Sequence, residues 1–194
     1  VPTDFGQYNV KEAFAEIIIP LVEDKPFFYK LTAEAGIRFS DYSTTGPSTT
    51  WKAGGSWEPV EGLRFRGMYQ RAVRSPNIDE LFRSPVTGLG NLTTDPCQAA
   101  LPVADAGLRA LCVATGAPAS SIGFIPQPSA GQINATSQGN RRLQVEKADS
   151  ITLGFVIAPP QVRGLSLTLD YYQIKLNSAI TQPAQGDVLN GCYS

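Results

Sequence analysis

The chain has 194 residues, a formal net charge of −1, 42% hydrophobic content and no histidine. Its length accommodates one sizeable domain, and its charge balance gives no footprint for nucleic acid. The lack of histidine excludes Ser-His-Asp and Cys-His catalysis and any His-ligated metal site, and no apolar run approaches the roughly 18 residues of a membrane-crossing helix.

The start, Val1-Pro2-Thr3-Asp4, has neither the basic end nor the apolar core of a signal peptide, as expected of a mature terminus or an interior piece. Strand-like alternation then begins. Over 10–22, Ala13, Ala15, Ile17, Ile19 and Leu21 share one face and Glu12 and Glu16 the other; Phe14 and Ile18 join the glutamates and blunt the pattern. Over 29–40, Leu31, Ala33, Ala35, Ile37 and Phe39 oppose Thr32, Glu34, Gly36 and Arg38. Successive strand side chains point to opposite faces, so each segment has one apolar and one polar side. The third predicted strand, 49–58, sets Trp51, Ala53, Gly55 and Trp57 against Lys52, Gly54, Ser56 and Glu58. The fourth, 63–74, sets Leu63, Phe65, Gly67 and Tyr69 against Arg64, Arg66, Met68 and Gln70.

A long stretch, 75–145, follows, too long for an ordinary hairpin loop. Ser75-Pro76-Asn77-Ile78-Asp79-Glu80 reads as a capped helical turn. Leu101, Ala104, Leu108 and Leu111 fall at roughly helical spacing and predict a helix over 102–113, bracketed by Cys97 and Cys112. Those two cysteines are candidates for a structural disulfide across a short loop, leaving Cys192 unpaired within the chain; the alternative is three free thiols. Residues 116–139, rich in Gly, Pro, Ser and Gln, read as an irregular excursion. Two strands close the series, 146–158 with Ile151, Leu153, Phe155 and Ile157 on one face, and 165–176 with Leu165, Leu167, Leu169 and Tyr171.

The links at 23–26, 59–62 and 159–164 are short and turn-rich, whereas 41–48 and 75–145 are longer. Outer-membrane barrels alternate in this way, with short periplasmic turns and long extracellular loops. The predicted fold is therefore an all-β, antiparallel up-and-down transmembrane β-barrel. About six strands of it are present, with the first starting outside and running inward. Phe27, Phe28, Tyr29 and Trp57 then lie at the periplasmic ends and Tyr42 and Trp51 near the outer ends, where interface aromatics belong.

Several blocks resemble TonB-dependent outer-membrane receptors. They are Asn9-Val10-Lys11-Glu12-Ala13-Phe14-Ala15-Glu16 with Ile19-Pro20-Leu21, and 63–77 from Leu63-Arg64-Phe65-Arg66 to Ser75-Pro76-Asn77, with Glu80-Leu81-Phe82. Gly139-Asn140-Arg141-Arg142-Leu143-Gln144-Val145-Glu146-Lys147-Ala148 and Asp170-Tyr171-Tyr172-Gln173-Ile174-Lys175 with Ala179-Ile180 continue the series in order. The resemblance implies that 1–194 is part of a receptor barrel of about 22 strands, an internal-to-late piece without its plug. It implies a plug domain of the same full-length chain, a TonB-type energy-coupling protein, outer-membrane lipid and a small nutrient as partners. It implies a transport receptor rather than an enzyme, with no cofactor and no catalytic or metal residues. Cys192 would pair in the following loop.

Arg64, Arg66 and Arg74 are candidate lumen-facing residues, touching the plug or an anionic substrate. The competing reading is a salt-bridged wall facing Glu34, Glu58 or Asp170, since intramembrane charges must face water or protein. Asp79 and Glu80 are candidate loop-base contacts. Glu12, Glu16 and Glu34 fit lumen patterning better than acid–base pairing. A soluble β-sandwich or lectin-like binding domain would also alternate, and a passive porin is the third option; strand length, loop asymmetry and the receptor-like blocks favour the receptor.

Overall fold

The computed structural model describes residues 4–193, and the chain divides into two compact units. The first, 4–82 with 140–180, holds a six-stranded sheet. Its strands are β1 (Val10–Lys25), β2 (Phe28–Tyr42), β3 (Gly46–Val60), β4 (Leu63–Arg74), β7 (Glu146–Ile157) and β8 (Leu167–Asn177). They pair antiparallel in the order β1-β2-β3-β4-β7-β8, an open meander whose edges are β1 and β8. At 11 to 16 residues, each is long enough for a tilted membrane strand of ~9–11 residues.

This sheet lacks a hydrophobic core of its own. Among the described residues, the buried hydrophobics are Leu81, Leu92, Cys97, Cys112 and Ile122, none of them in its strands. Leu153, Leu167 and Leu169 on its apolar side are each more than half exposed. A sandwich would bury that side against a second sheet. Here the apolar face is continuous and uncovered.

The turns follow from local chemistry. β1 and β2 are joined at Pro26-Phe27, with Lys25 opposite Phe28. β3 passes to β4 through Glu61-Gly62, with Val60 opposite Leu63. Gly62 has φ +85°, and a Cβ there would stand 2.5 Å from the Ala158 carbonyl oxygen. That backbone region disfavours any other residue. One expectation is corrected here. The link 41–48 is no long loop, because β2 runs to Tyr42, β3 restarts at Gly46, and those two residues are paired. The polar run of Ser, Thr, Gly and Pro hides strand ends that continue past the membrane-length core. Loop asymmetry therefore rests on 75–145.

A short helix, α1 (Ile78–Phe82), follows β4. Its cap is Asn77: the Asn77 side chain accepts from the Glu80 amide at 2.7 Å, and Glu80 accepts from the Asn77 amide at 2.7 Å. This reciprocal capping box satisfies two otherwise orphaned donors.

The second unit comprises 83–139 and 181–193 among the described residues. The expectation of an irregular 116–139 is also corrected, because β6 (Gln132–Ser137) lies there and pairs antiparallel with β5 (Val86–Asn91). The partners lie far apart in sequence, so no local hairpin signal exists. The predicted helix 102–113 is two pieces, α2 (Leu101–Ala104) and α3 (Ala106–Ala114). Asp105 between them is extended, and its carboxylate accepts from the amides of Gly107 and Leu108, capping α3. Cys97 and Cys112 are disulfide-bonded across a separation of 15 residues. With Ile122 they form a small core, joined by Leu108, Ala117, Ile125 and Tyr193. Tyr193 ends α4 (Gln185–Tyr193), and its hydroxyl lies 2.7 Å from that of Thr115. Cys192 is exposed and free.

Candidate functional site

The strand registers gather the polar side chains of the sheet into rows. Glu16, Gly36, Lys52, Gln70, Ser150 and Ile174 stand side by side across all six strands. Two rows further along, the sequence is Pro20, Thr32, Ser56, Arg66, Gly154 and Asp170. This face carries a network of opposite charges. The Ser40 hydroxyl donates to Glu12 at 2.6 Å, Arg38 lies 3.9 Å from Glu12, and Lys52 lies 3.5 Å from Glu16. A shallow concavity on it is lined by Glu12, Glu16, Arg38, Ser40, Lys52 and Gln70, among others.

The three arginines singled out in the sequence all take acidic partners here. Arg64 donates to Glu58. Arg66 grips Asp170 through Nη2, at 2.7 and 2.8 Å from its two oxygens. Glu34 lies opposite Ile18 and Gly54, so it is Glu58 and Asp170 that serve as the wall's counter-ions. The Arg66–Asp170 bridge passes from β4 to β8 over the intervening strand, and Gly154 makes room for it: a Cβ there would stand 2.0 Å from Asp170 Oδ1 and 3.0 Å from Arg66 Nε. Gly154→Val is therefore expected to break the bridge at modest cost. The pair is about half exposed, so its own loss is worth ~1 kcal/mol or less, and reduced β7–β8 protection in hydrogen exchange would register it.

Arg74 is the most heavily engaged. It ends β4, and its guanidinium forks onto Glu80, with both N···O distances at 3.0 Å. Its Nε also donates to Glu146 at the start of β7. The other Glu146 oxygen accepts from the Ile180 amide, and the Glu80 carbonyl accepts from the Asn140 amide at 2.8 Å. One cation thus ties together the end of β4, α1, the entry to β7 and the chain leaving β8. The Arg74 guanidinium, aided by the Asn77 amide and opposed by partial burial, holds the Glu80 carboxyl below the usual carboxylate range. Asp79 sits beside Glu80 in the first turn of α1, exposed. Arg141 stacks over Phe82 at 5.2 Å from its ring centre, adding a cation–π contact at the same place.

Glu146 and Asn77 are parts of this knot that sequence reading missed. Glu146 lies directly opposite Arg74 in the β4–β7 register, a pairing hidden by the long insertion between them. Asn77 carried a visible signal, the Asn-x-x-Glu spacing of a capping box.

Aromatic rings mark one end of the opposite, apolar face. Phe28, Trp57, Phe65 and Phe155 form a ladder across four strands, with centroid spacings of 6.1, 5.6 and 6.4 Å. The Trp57 indole donates to the Phe27 carbonyl at 3.0 Å. In this ladder Trp57 joins an apolar body to a polar N–H, the combination that suits a boundary between lipid and water.

The family model described as TonB dependent receptor-like, beta-barrel matches residues 2–194. Among solved structures, the chain is similar to the siderophore receptor PirA from Acinetobacter baumannii, with a TM-score of 0.57 and 15% identity over 87% of this chain and 18% of that one. It is also similar to the siderophore receptor PirA from Pseudomonas aeruginosa, with a TM-score of 0.56 and 18% identity over 87% of this chain and 24% of that one. At such identities the likeness is one of fold, and the chain spans only about a fifth of the length of these receptors.

Proposed function

Since the chain belongs to the TonB-dependent receptor-like β-barrel family, we propose that it forms part of the wall of an active-transport receptor in the bacterial outer membrane. A scarce nutrient binds at the extracellular loops and passes through a plugged lumen, driven by a TonB-type partner that acts on the plug domain of the full-length chain. The role is transport rather than catalysis. The two PirA receptors similar in fold make a siderophore-type chelate the first substrate to test.

The observation that carries this reading is the six-stranded sheet without a core. Its apolar face holds no buried residue, while its other face bears paired charges and polar rows. Lipid outside and a wet, protein-filled lumen inside accommodate both. In this frame Arg64, Arg66 and Arg74 line the inner wall in ion pairs, with Arg74, Asp79 and Glu80 anchoring the base of the large loop.

The test uses the full-length receptor. It is expected to partition with detergent-extracted outer membrane and to migrate differently on gels with and without heating. A protein soluble without detergent overturns the reading. Uptake that persists in cells lacking the TonB-type partner would make it a passive pore instead.

A further inference from the structure

The polar face changes character midway across the sheet. The ion pairs Arg66–Asp170 and Arg74–Glu146 stand eight residues apart along β4. Between them lie three rows on β4, β7 and β8, from Met68–Thr152–Tyr172 to Ala72–Ala148–Leu176. None of these rows carries a charge. On β8 their side chains are apolar or aromatic and open: Tyr172, Ile174 and Leu176 are 68%, 60% and 54% exposed. Rows on one face are two residues apart and neighbouring strands about 4.8 Å apart, so the uncharged area measures roughly 13 by 10 Å.

The same rows are charged on β1, β2 and β3. Glu16–Gly36–Lys52 continues the Gln70 row, and Ile18–Glu34–Gly54 continues the Met68 row. Lys52 and Glu16 are 3.5 Å apart and Arg38 and Glu12 3.9 Å, against 2.7 Å for Arg66 and Asp170. Among the described residues Glu34 enters no ion pair. Apolar side chains do not gather on this half: Arg38 lies over the Phe14 ring, 5.3 Å from its centre, and Ile18 stands opposite Glu34. One wall thus presents a charged half and an apolar half at the same level.

We infer that Tyr172, Ile174 and Leu176 form a dry seat for an apolar segment of the plug domain, and that solute passes on the other side, along β1 to β3. This conclusion rests on the plugged-barrel reading above. Lipid reaches only the opposite face of the sheet. A solute covers the patch only in transit, whereas the plug is the lumen's resident, and apolar area is stabilised by lasting removal from water. The two flanking ion pairs are satisfied within the wall, so they frame the seat without asking the plug for counter-charges. On the charged half the loosely paired groups keep their water, because stripping it is costly. A gap opens most readily where the contact is already wet, and it then offers a polar solute a polar track.

The experiment records the conductance of the full-length receptor in planar lipid bilayers, without its TonB-type partner. The unsubstituted receptor is expected to stay closed. Ile174→Asp should unseat the plug and raise the mean conductance at least tenfold, while heat-dependent migration on gels shows that the barrel still forms. Thr50→Asp, on the charged half, should leave the receptor closed. A second measurement adds no charge to the wall. A water-soluble maleimide added from outside should label Lys52→Cys at least tenfold faster than Ile174→Cys, once labelling of Cys192 in the unsubstituted receptor is subtracted. The inference is overturned if Ile174→Asp folds and stays closed, if Thr50→Asp opens the receptor as widely, or if the two cysteines label equally fast. An unsubstituted receptor that already conducts freely fails earlier and separately, by removing the plugged-barrel reading itself.

Discussion

Replacing Cys97 and Cys112 together by serine is expected to unfold the loop unit while the six-stranded sheet stays intact. The buried cluster around the cystine is three residues, of which two are these cysteines. Such a core is too small to offset the ordering of the chain around it. Closing a loop of 15 residues contributes about 3 kcal/mol. The effect should spread beyond the cross-link, because Tyr193 packs on this core and meets Thr115. Hydrogen exchange on the full-length receptor should therefore show lost protection in β5, β6 and α4, with β2 to β4 unchanged. Undiminished protection of α4 in the serine variant would show that α4 is held by something other than the cystine core.

Arg74→Ala should be the most damaging single change in the sheet unit. Its two partners are well shielded, with Glu146 12% and Glu80 23% exposed at the side chain. Removing the cation leaves two carboxylates facing each other with much of their hydration lost. A cost of roughly 2–4 kcal/mol follows, against ~1 kcal/mol or less for the more exposed Arg66. Lysine should rescue only part of it, since one ammonium cannot reproduce the fork. Acid provides an independent check. Glu80 has its carboxyl lowered in the folded protein, so its contribution is complete above the unfolded carboxylate value near 4.3. It is lost as pH falls through the lower folded value. Protection around α1 and the start of β7 should weaken in that acidic window in the wild type, and the Glu80-dependent part should vanish in Arg74→Ala. A flat acid response in the wild type would count against the knot.

The wall was largely legible in the sequence because a period of two survives any context that keeps one face apolar. The strand 63–74 agrees with β4 end to end, bounded by a glycine turn and by Ser75-Pro76. Strand ends beyond the apolar core were not legible, since residues such as Asp41 and Pro47 carry no alternation yet pair in the ladder. The β5–β6 pair joins segments separated by α2 and α3, and nothing local announces it. Among the arginines, chemistry required counter-charges, and the register decided which. Arg66 found Asp170 because β7 interposes a glycine at that row. Arg71–Asp149 escaped notice because it lies on the otherwise apolar face.

The pairing of β4 with β7 carries a consequence for assembly. Bringing strand ends together across some 70 residues rather than a few costs about 3 kcal/mol more in chain entropy. Yet the ends of the insertion already meet, Gly139 donating to the Arg83 carbonyl at 2.9 Å and Asn140 to that of Glu80 at 2.8 Å. An insertion that folds first presents its two stems side by side, so that β4 and β7 zip as if joined by a tight turn. The same arrangement makes the insertion a cassette. Its interior can vary in sequence and length, provided the two stems still emerge together.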